Sequence, residues 1–204
     1  MFITLEGPEG SGKTSQIPWL AARLEAEGYA VVTTREPGGT PIGDQIRQVL
    51  FDLDNKAMEP RSEILLFQAS RAQLVEQVIR PALAEGKVVL CDRYADSTLA
   101  YQGYGHKVDL EQLNTIVHFA TGGLKPDLTL FLDVKVEQGL QRRDSGGDWN
   151  RLDDYDVEFH KRVYDGYQQL IAAEPERWVQ VDAAQTPERV AEALQQAVLA
   201  RLVR

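Results

Sequence analysis

Short, almost unbroken apolar runs alternate along this chain with longer stretches in which apolar residues return every three or four positions. The runs are Phe2–Glu6, Ala30–Thr34, Lys87–Cys91, Leu128–Asp133 and Trp178–Val181. Runs that are apolar at consecutive positions predict strands covered on both faces, as in a parallel sheet. The spaced pattern predicts helices near 13–27, 41–51, 61–85, 109–121, 135–143, 154–173 and 187–202. Ile17, Leu20 and Leu24 share one face of the first, and Val190, Leu194 and Val198 one face of the last. Pro18 removes a backbone donor inside the first helix and predicts a bend there. Strand and helix in alternation predict a doubly wound α/β architecture, and 204 residues suit one domain, 1–204, better than two.

Two breaks in the pattern read as loops, 36–39 and 144–150. The second is polar, flanked by arginines, and predicts a lid over about 142–152.

Between the first strand and the first helix lies Gly7-Pro8-Glu9-Gly10-Ser11-Gly12-Lys13-Thr14, a full GxxxxGK[ST]. Glycines let successive N–H groups curl inward around phosphate oxygens, and the following helix aims its positive end at the same point. Lys13 is then placed for the β- and γ-phosphates and Thr14 for magnesium. Asp92, at the end of the third apolar run, is the candidate carboxylate beside that metal. Asp133 also ends a run but leads straight into a helix, which reads as a cap.

Charge and cysteine usage narrow the class. A net charge of −9 argues against a broad nucleic-acid surface, which needs clustered Lys and Arg. The single cysteine, Cys91, excludes an internal disulfide and reads as a small buried hydrophobe. The apolar start Met1–Leu5 stops at Glu6, too short for a secretory signal. No run approaches the roughly 20 apolar residues that span a bilayer. The expectation is a cytoplasmic protein without membrane or nucleic-acid partners.

A nucleotide switch would carry DxxG after a strand and NKxD for guanine. Asp144-Ser145-Gly146-Gly147 instead follows a helix, and Asn55-Lys56-Ala57 ends in Met58, where the carboxylate should be. A phosphotransferase needs arginines from separate segments around the transferred group. The chain carries arginines in many separate segments. His106, His118 and His160 are scattered and read as structural or solvated. Other nucleotide kinases, and an inactive nucleotide-sensing regulator, are the competing classes.

The ordered series Gly7–Thr14, Arg35-Glu36-Pro37-Gly38-Gly39, Phe67-Gln68-Ala69-Ser70-Arg71, Asp92-Arg93-Tyr94, Ser97, Tyr101-Gln102-Gly103 and Asn150-Arg151-Leu152-Asp153 resembles the motifs of thymidylate kinases. The resemblance implies the nucleoside-monophosphate-kinase form of the P-loop fold, with five parallel strands in the order 2-3-1-4-5, flanking helices and a lid. It implies ATP plus dTMP giving ADP plus dTDP with Mg²⁺, on a homodimer. It extends the ATP loop to Ser15 and gives catalysis to Lys13, Glu9, Asp92, Arg93 and lid arginines. Gly10 lacks the basic side chain that one branch of the family carries in the loop. The chain therefore resembles the bacterial type, with Arg151 as first and Arg143 as second source of transition-state charge. For the acceptor it implies Phe67 stacked on thymine, Arg71 on a carbonyl, Gln102 on the ring N–H and Tyr101 near C2′. Arg93, Arg35 and Arg47 would hold the 5′-phosphate, with Glu36, Pro37 and Ser97 close by. Phe67 otherwise reads as core, and Arg47 equally as a surface residue. A phosphate acceptor is ionised near neutrality (second pKa about 6), so no general base is demanded.

Overall fold

A computed structural model describes residues 1–145 and 150–202. Five strands, β1 (Phe2–Glu6), β2 (Val31–Arg35), β3 (Val88–Asp92), β4 (Leu128–Asp133) and β5 (Trp178–Asp182), form one parallel sheet in the order β2-β3-β1-β4-β5. All four pairings are parallel. Every residue of β1 and β3 is buried, which explains why both read as unbroken apolar runs.

Alternation along β1 divides the core. Ile3 and Leu5 meet α1 (Lys13–Ala26) and α9 (Pro187–Leu202) through Ile17, Leu20, Leu24, Val190, Leu194 and Val198. Phe2 lies on the opposite face with Val89, Cys91, Leu74, Val75, Ile79 and Tyr94. Thr4 is buried there too, its hydroxyl 2.9 Å from that of Thr129. A third cluster gathers Phe131 and Trp178 with Tyr101, Phe159, Val163 and Tyr167.

The remaining helices are α2 (Pro41–Phe51), α3 (Pro60–Leu74), α4 (Arg80–Ala84), α5 (Ala95–Thr98), α6 (Leu110–Thr121), α7 (Val136–Asp144) and α8 (Val157–Ala173). The single helix expected over 61–85 is realised as α3, a π-helical turn at Val75–Ile79, and α4. The widened turn comes just before Pro81, whose ring cannot donate a helical bond. α5 leads into a second π-helical turn, Leu99–Gly105, that the apolar pattern did not announce. Gly103 and Gly105 within it depress helix propensity. They are there because a Cβ would strike Leu110 and the Phe159 ring.

α1 runs unbroken through Pro18, which sits exposed on its outer face, so the carbonyl it frees can meet water. Asp133 is no cap, correcting that expectation: α7 starts at Val136, and the Asp133 carboxylate accepts the Tyr164 hydroxyl at 2.9 Å. Helix α7 also runs through Asp144 into the expected lid loop, of which residues 146–149 lie outside the described residues.

Candidate active site

The sheet register brings the phosphate machinery together. In β3, Asp92 lies beside Leu5 of β1 and Arg35 of β2, so three strand ends open at one point. The Thr14 hydroxyl donates to Asp92 Oδ2 at 2.6 Å. Lys13 Nζ folds into its own loop, donating to Gly7 O (3.0 Å), Pro8 O (2.8 Å) and Ser11 Oγ (3.1 Å). Burial and the nearby Arg93 bring its pKa down to about 8, against the opposing pull of Glu9, Asp92 and Glu6.

Gly10 explains itself by geometry. It has φ +67°, and a Cβ there would meet the carbonyl oxygen of Gly139 in α7 at 2.0 Å. A Cβ on Gly139 would meet Glu9 O at 2.2 Å. The phosphate loop and the helix carrying Arg142 and Arg143 thus touch backbone to backbone. No side chain fits at position 10 in this arrangement, so cationic charge must come from elsewhere.

Arg93, next after Asp92, turns into the site with φ +67°. Its Nη2 donates to Glu9 Oε1 (2.7 Å) and Tyr101 Oη (3.0 Å), and its Nη1 to Ser97 Oγ and Tyr167 Oη, both 3.2 Å. Burial opposes the Glu9 charge, but Arg93, Lys13, Tyr101 and Arg143 outweigh it and take its pKa down to about 2. Behind this group lies Glu6, fully buried, accepting from Tyr94 N, Ser97 Oγ and Tyr167 Oη. Burial and the Asp96 charge push its carboxyl up to about 7.

A cavity of about 490 Å³ runs from the loop to α3. Arg35, paired with Asp44 at 3.1 Å, and Arg47, donating to Pro37 O at 2.9 Å, stand on its wall with Glu36, Pro37 and Ser97. Arg47 also lies over the Phe51 ring at 4.2 Å, so it faces the site and not open surface. Phe67 is half-buried on the same wall, outside the three core clusters. Arg71 is 1% exposed, and all five of its N–H groups are engaged, by Glu36, Gln68, Thr98 and Tyr94 O. The other Glu36 oxygen, Oε1, is buried without a partner among the described residues. Gln102 donates through Nε2 to Glu63 Oε1 at 2.7 Å.

The two favoured lid arginines part company. Arg143 lines the cavity, with Nε on Asp153 Oδ2 at 3.1 Å. Arg142 lines it too and donates to Ala183 O. Arg151 is turned away from the cavity and buried, with Nη2 on Glu63 Oε2 at 2.5 Å, Nε on Leu50 O and Nη1 on Tyr155 Oη. Of the two expected sources of charge, Arg143 lines the cavity and Arg151 does not.

Among the described residues no cluster of three or more His, Cys, Asp or Glu could hold a metal by itself. A magnesium ion keeps several waters and takes phosphate oxygens, so one hydroxyl and one carboxylate suffice, and Thr14 with Asp92 fit it.

Residues 5–194 match the family model for thymidylate kinase. The chain is 53% identical to thymidylate kinase from Synechococcus sp. (strain JA-3-3Ab), over all of this chain and 97% of that protein. It is 52% identical to the enzyme of Roseiflexus sp. (strain RS-1), covering 94% of this chain and 90% of the relative. The crystal structure of thymidylate kinase from Ehrlichia chaffeensis superposes with a TM-score of 0.81 at 32% identity, covering 98% of each chain. The chain belongs to the thymidylate kinase family. Its activity is the ATP-dependent phosphorylation of dTMP to dTDP, which supplies dTTP synthesis.

Residues 9–15 of the phosphate loop, Asp92, Arg93, Arg35, Arg47, Phe67, Arg71, Tyr101 and Gln102 all reach one cavity. The residues that sequence reasoning missed are the ones behind it. Glu63 and Tyr167 orient the cavity's polar groups from ordinary helical patterns outside the quoted motifs, while Gln68, inside one of them, and Thr98, next to Ser97 and on the cavity wall, had been given no role. The histidines stay out of the cavity wall: His118 is exposed, His160 buried, and His106 packed against Tyr155 and Phe159. Cys91 is buried, and burial pushes its thiol up. No helix among the described residues is long and apolar enough to cross a membrane.

Proposed function

We propose that the loop end of the cavity takes Mg²⁺–ATP, that the Arg93 side takes the dTMP phosphate, and that the α3 side takes thymine. Consecutive residues Asp92 and Arg93 carry this reading: the first meets Thr14, the second points into the cavity. Thr14 and Asp92 would hold the metal, which would supply charge neutralisation when bound. Lys13 leaves its three loop oxygens to bind the transferring phosphoryl group. Arg93 exchanges Glu9 for the acceptor's 5′-phosphate, assisted by Arg35 and Arg47, and its planar fork suits phosphate oxygens. Glu9, held ionised, keeps Arg93 and Tyr101 placed until then. Arg143, beside Arg142 in α7, neutralises charge on the transferring group, and the segment 142–152 acts as the lid.

Phe67 offers thymine a face, Gln102 accepts its ring N–H, and Tyr101 lies under C2′. Arg71 meets a thymine carbonyl by releasing one donor now on Gln68 or Thr98. Glu36, its free oxygen toward the sugar, stays with Arg71. We place the enzyme in the cytoplasm. We also assign it a homodimer closed over α2, α3 and α6, where Ile42, Val49, Leu65 and Phe119 stand exposed, Phe119 at 88%.

The test is kcat/KM for dTMP, dUMP and dCMP in a coupled ADP-release assay. One missing methyl is worth about 10–200-fold, while a mismatched polar edge is worth about 10⁴–10⁵. The expected order is dTMP, then dUMP, with dCMP far behind. Parity of dCMP with dTMP would overturn the base assignment.

A further inference from the structure

Three residues of α3 stand one turn apart on a common face: Glu63, Phe67 and Arg71. Phe67 and Arg71 have roles above, but Glu63 does not reach the cavity at all. It is 1% exposed and sits at the crossing of three segments. Its Oε1 accepts from Gln102 Nε2 at 2.7 Å, and its Oε2 from Arg151 Nη2 at 2.5 Å, with Tyr155 Oη at 3.4 Å. Burial works against its charge, but the neighbouring His106, Arg151 and Gln102 outweigh it and hold its carboxyl below the usual range.

A carboxamide has two chemically opposite ends, one donating and one accepting, and little in its shape distinguishes them. An ionised carboxylate only accepts. Beside Glu63 the Gln102 amide must therefore present its NH₂ group to the carboxylate and its carbonyl oxygen the other way. Gln102 lines the cavity, and that oxygen takes no hydrogen bond among the described residues. Turning the amide over would set one acceptor against another at hydrogen-bonding distance inside a buried site, where unpaired polar contacts are costly.

We propose that Glu63 is a positioning residue for base specificity: it locks Gln102 with its carbonyl toward the base, so that the pocket accepts a ring N–H. Thymine and uracil carry a proton at that ring nitrogen. Cytosine presents a lone pair there and meets the Gln102 oxygen acceptor to acceptor. Discrimination against cytosine thus originates in a side chain that never touches the nucleotide. The proposal rests on the reading of Gln102 as the base contact, and the experiment separates the two.

kcat/KM for dTMP and dCMP is measured for the parent, Glu63→Gln, Tyr155→Phe and Gln102→Ala. Glutamine at 63 can donate or accept, so the Gln102 amide is free to turn. Glu63→Gln is expected to lower the dTMP/dCMP ratio by about tenfold or more, with dCMP turnover rising relative to dTMP. Tyr155→Phe removes a different partner of the same carboxylate and leaves the ratio at the parent value. A structural role for Glu63 alone would lower both acceptors together and keep the ratio. A ratio unchanged in Glu63→Gln but collapsed in Gln102→Ala overturns the proposal and leaves the Gln102 contact standing. A ratio unchanged in Gln102→Ala overturns both. If Arg151, left without its counter-charge, prevents Glu63→Gln from folding, the double variant Glu63→Gln/Arg151→Met removes both charges and carries the same comparison.

Discussion

The two ends of the cavity are built on different principles. At the phosphate end, each charge rests on a partner it can exchange: Lys13 on the oxygens of its own loop, Arg93 on Glu9, Asp92 on the Thr14 hydroxyl. At the base end, charges are buried and saturated: Arg71 has all five donors used, and Glu63 fixes both Gln102 and Arg151. The difference follows from the ligands. Phosphates bring compensating negative charge, so cations can wait on protein oxygens and move across. A flat, neutral base cannot repay the release of a buried ion pair, so its wall has to be rigid and correctly oriented in advance.

The arginines of the lid region test that contrast most strongly, because they fall on opposite sides of it. Arg143→Ala is expected to lower kcat by about 10³-fold or more, the scale of an arginine acting on a transferring phosphoryl group. Arg151→Ala should leave kcat much closer to the parent but destabilise the fold by about 3–5 kcal/mol, since Glu63 loses its buried counter-charge. Steady-state kinetics and thermal denaturation of the two variants decide it. The reverse assignment of the two effects would restore Arg151 to catalysis and break the comparison.

Lys13→Met addresses the mobile charges. Loss of a cation at the transferring group should cost about 10²–10³-fold in kcat. The pH dependence of stability gives a second signature. Lys13 titrates near 8 in the fold and near 10.5 when free, so between these values the unfolded chain binds the extra proton. Parent stability therefore rises with pH across that window. The Met variant, followed by denaturant unfolding, should lack this contribution. An identical slope in both proteins would contradict the burial of an ammonium group in the loop.

Gly139→Ala probes how the two halves are held together. The added Cβ would meet Glu9 O at 2.2 Å, so the loop or α7 must move. The expected loss is about 1–3 kcal/mol of stability and up to about 10²-fold in kcat, as for a displacement near 1 Å in a reacting site. A variant with parental kinetics and melting temperature would mean that the backbone contact between loop and lid helix has no consequence.

The phosphate end was legible in the sequence because its parts are local. Gly7–Thr14 is contiguous, and Asp92 and Arg93 are named by the end of an apolar run. The base end was legible only in outline. Phe67 and Arg71 fall in the helix expected over 61–85, but the carboxylate that orients Gln102 lies 39 residues away from it. The π-helical turn at Leu99–Gly105 escaped because Gly103 and Gly105 lower the local helix propensity, whereas close packing against Leu110 and Phe159 keeps them helical. Asp133 was misread for a similar reason: its partner, Tyr164, is on a distant helix.

By itself the sequence determined the five strands to within one residue, and the phosphate loop, because hydrophobic period and glycine placement act over a few residues. Only the tertiary structure decided which arginine faces the cavity and which braces it. That choice depends on whether a buried carboxylate, contributed by another segment, claims the guanidinium first. Arg151 finds Glu63, while Arg143, anchored on Asp153, remains at the cavity wall.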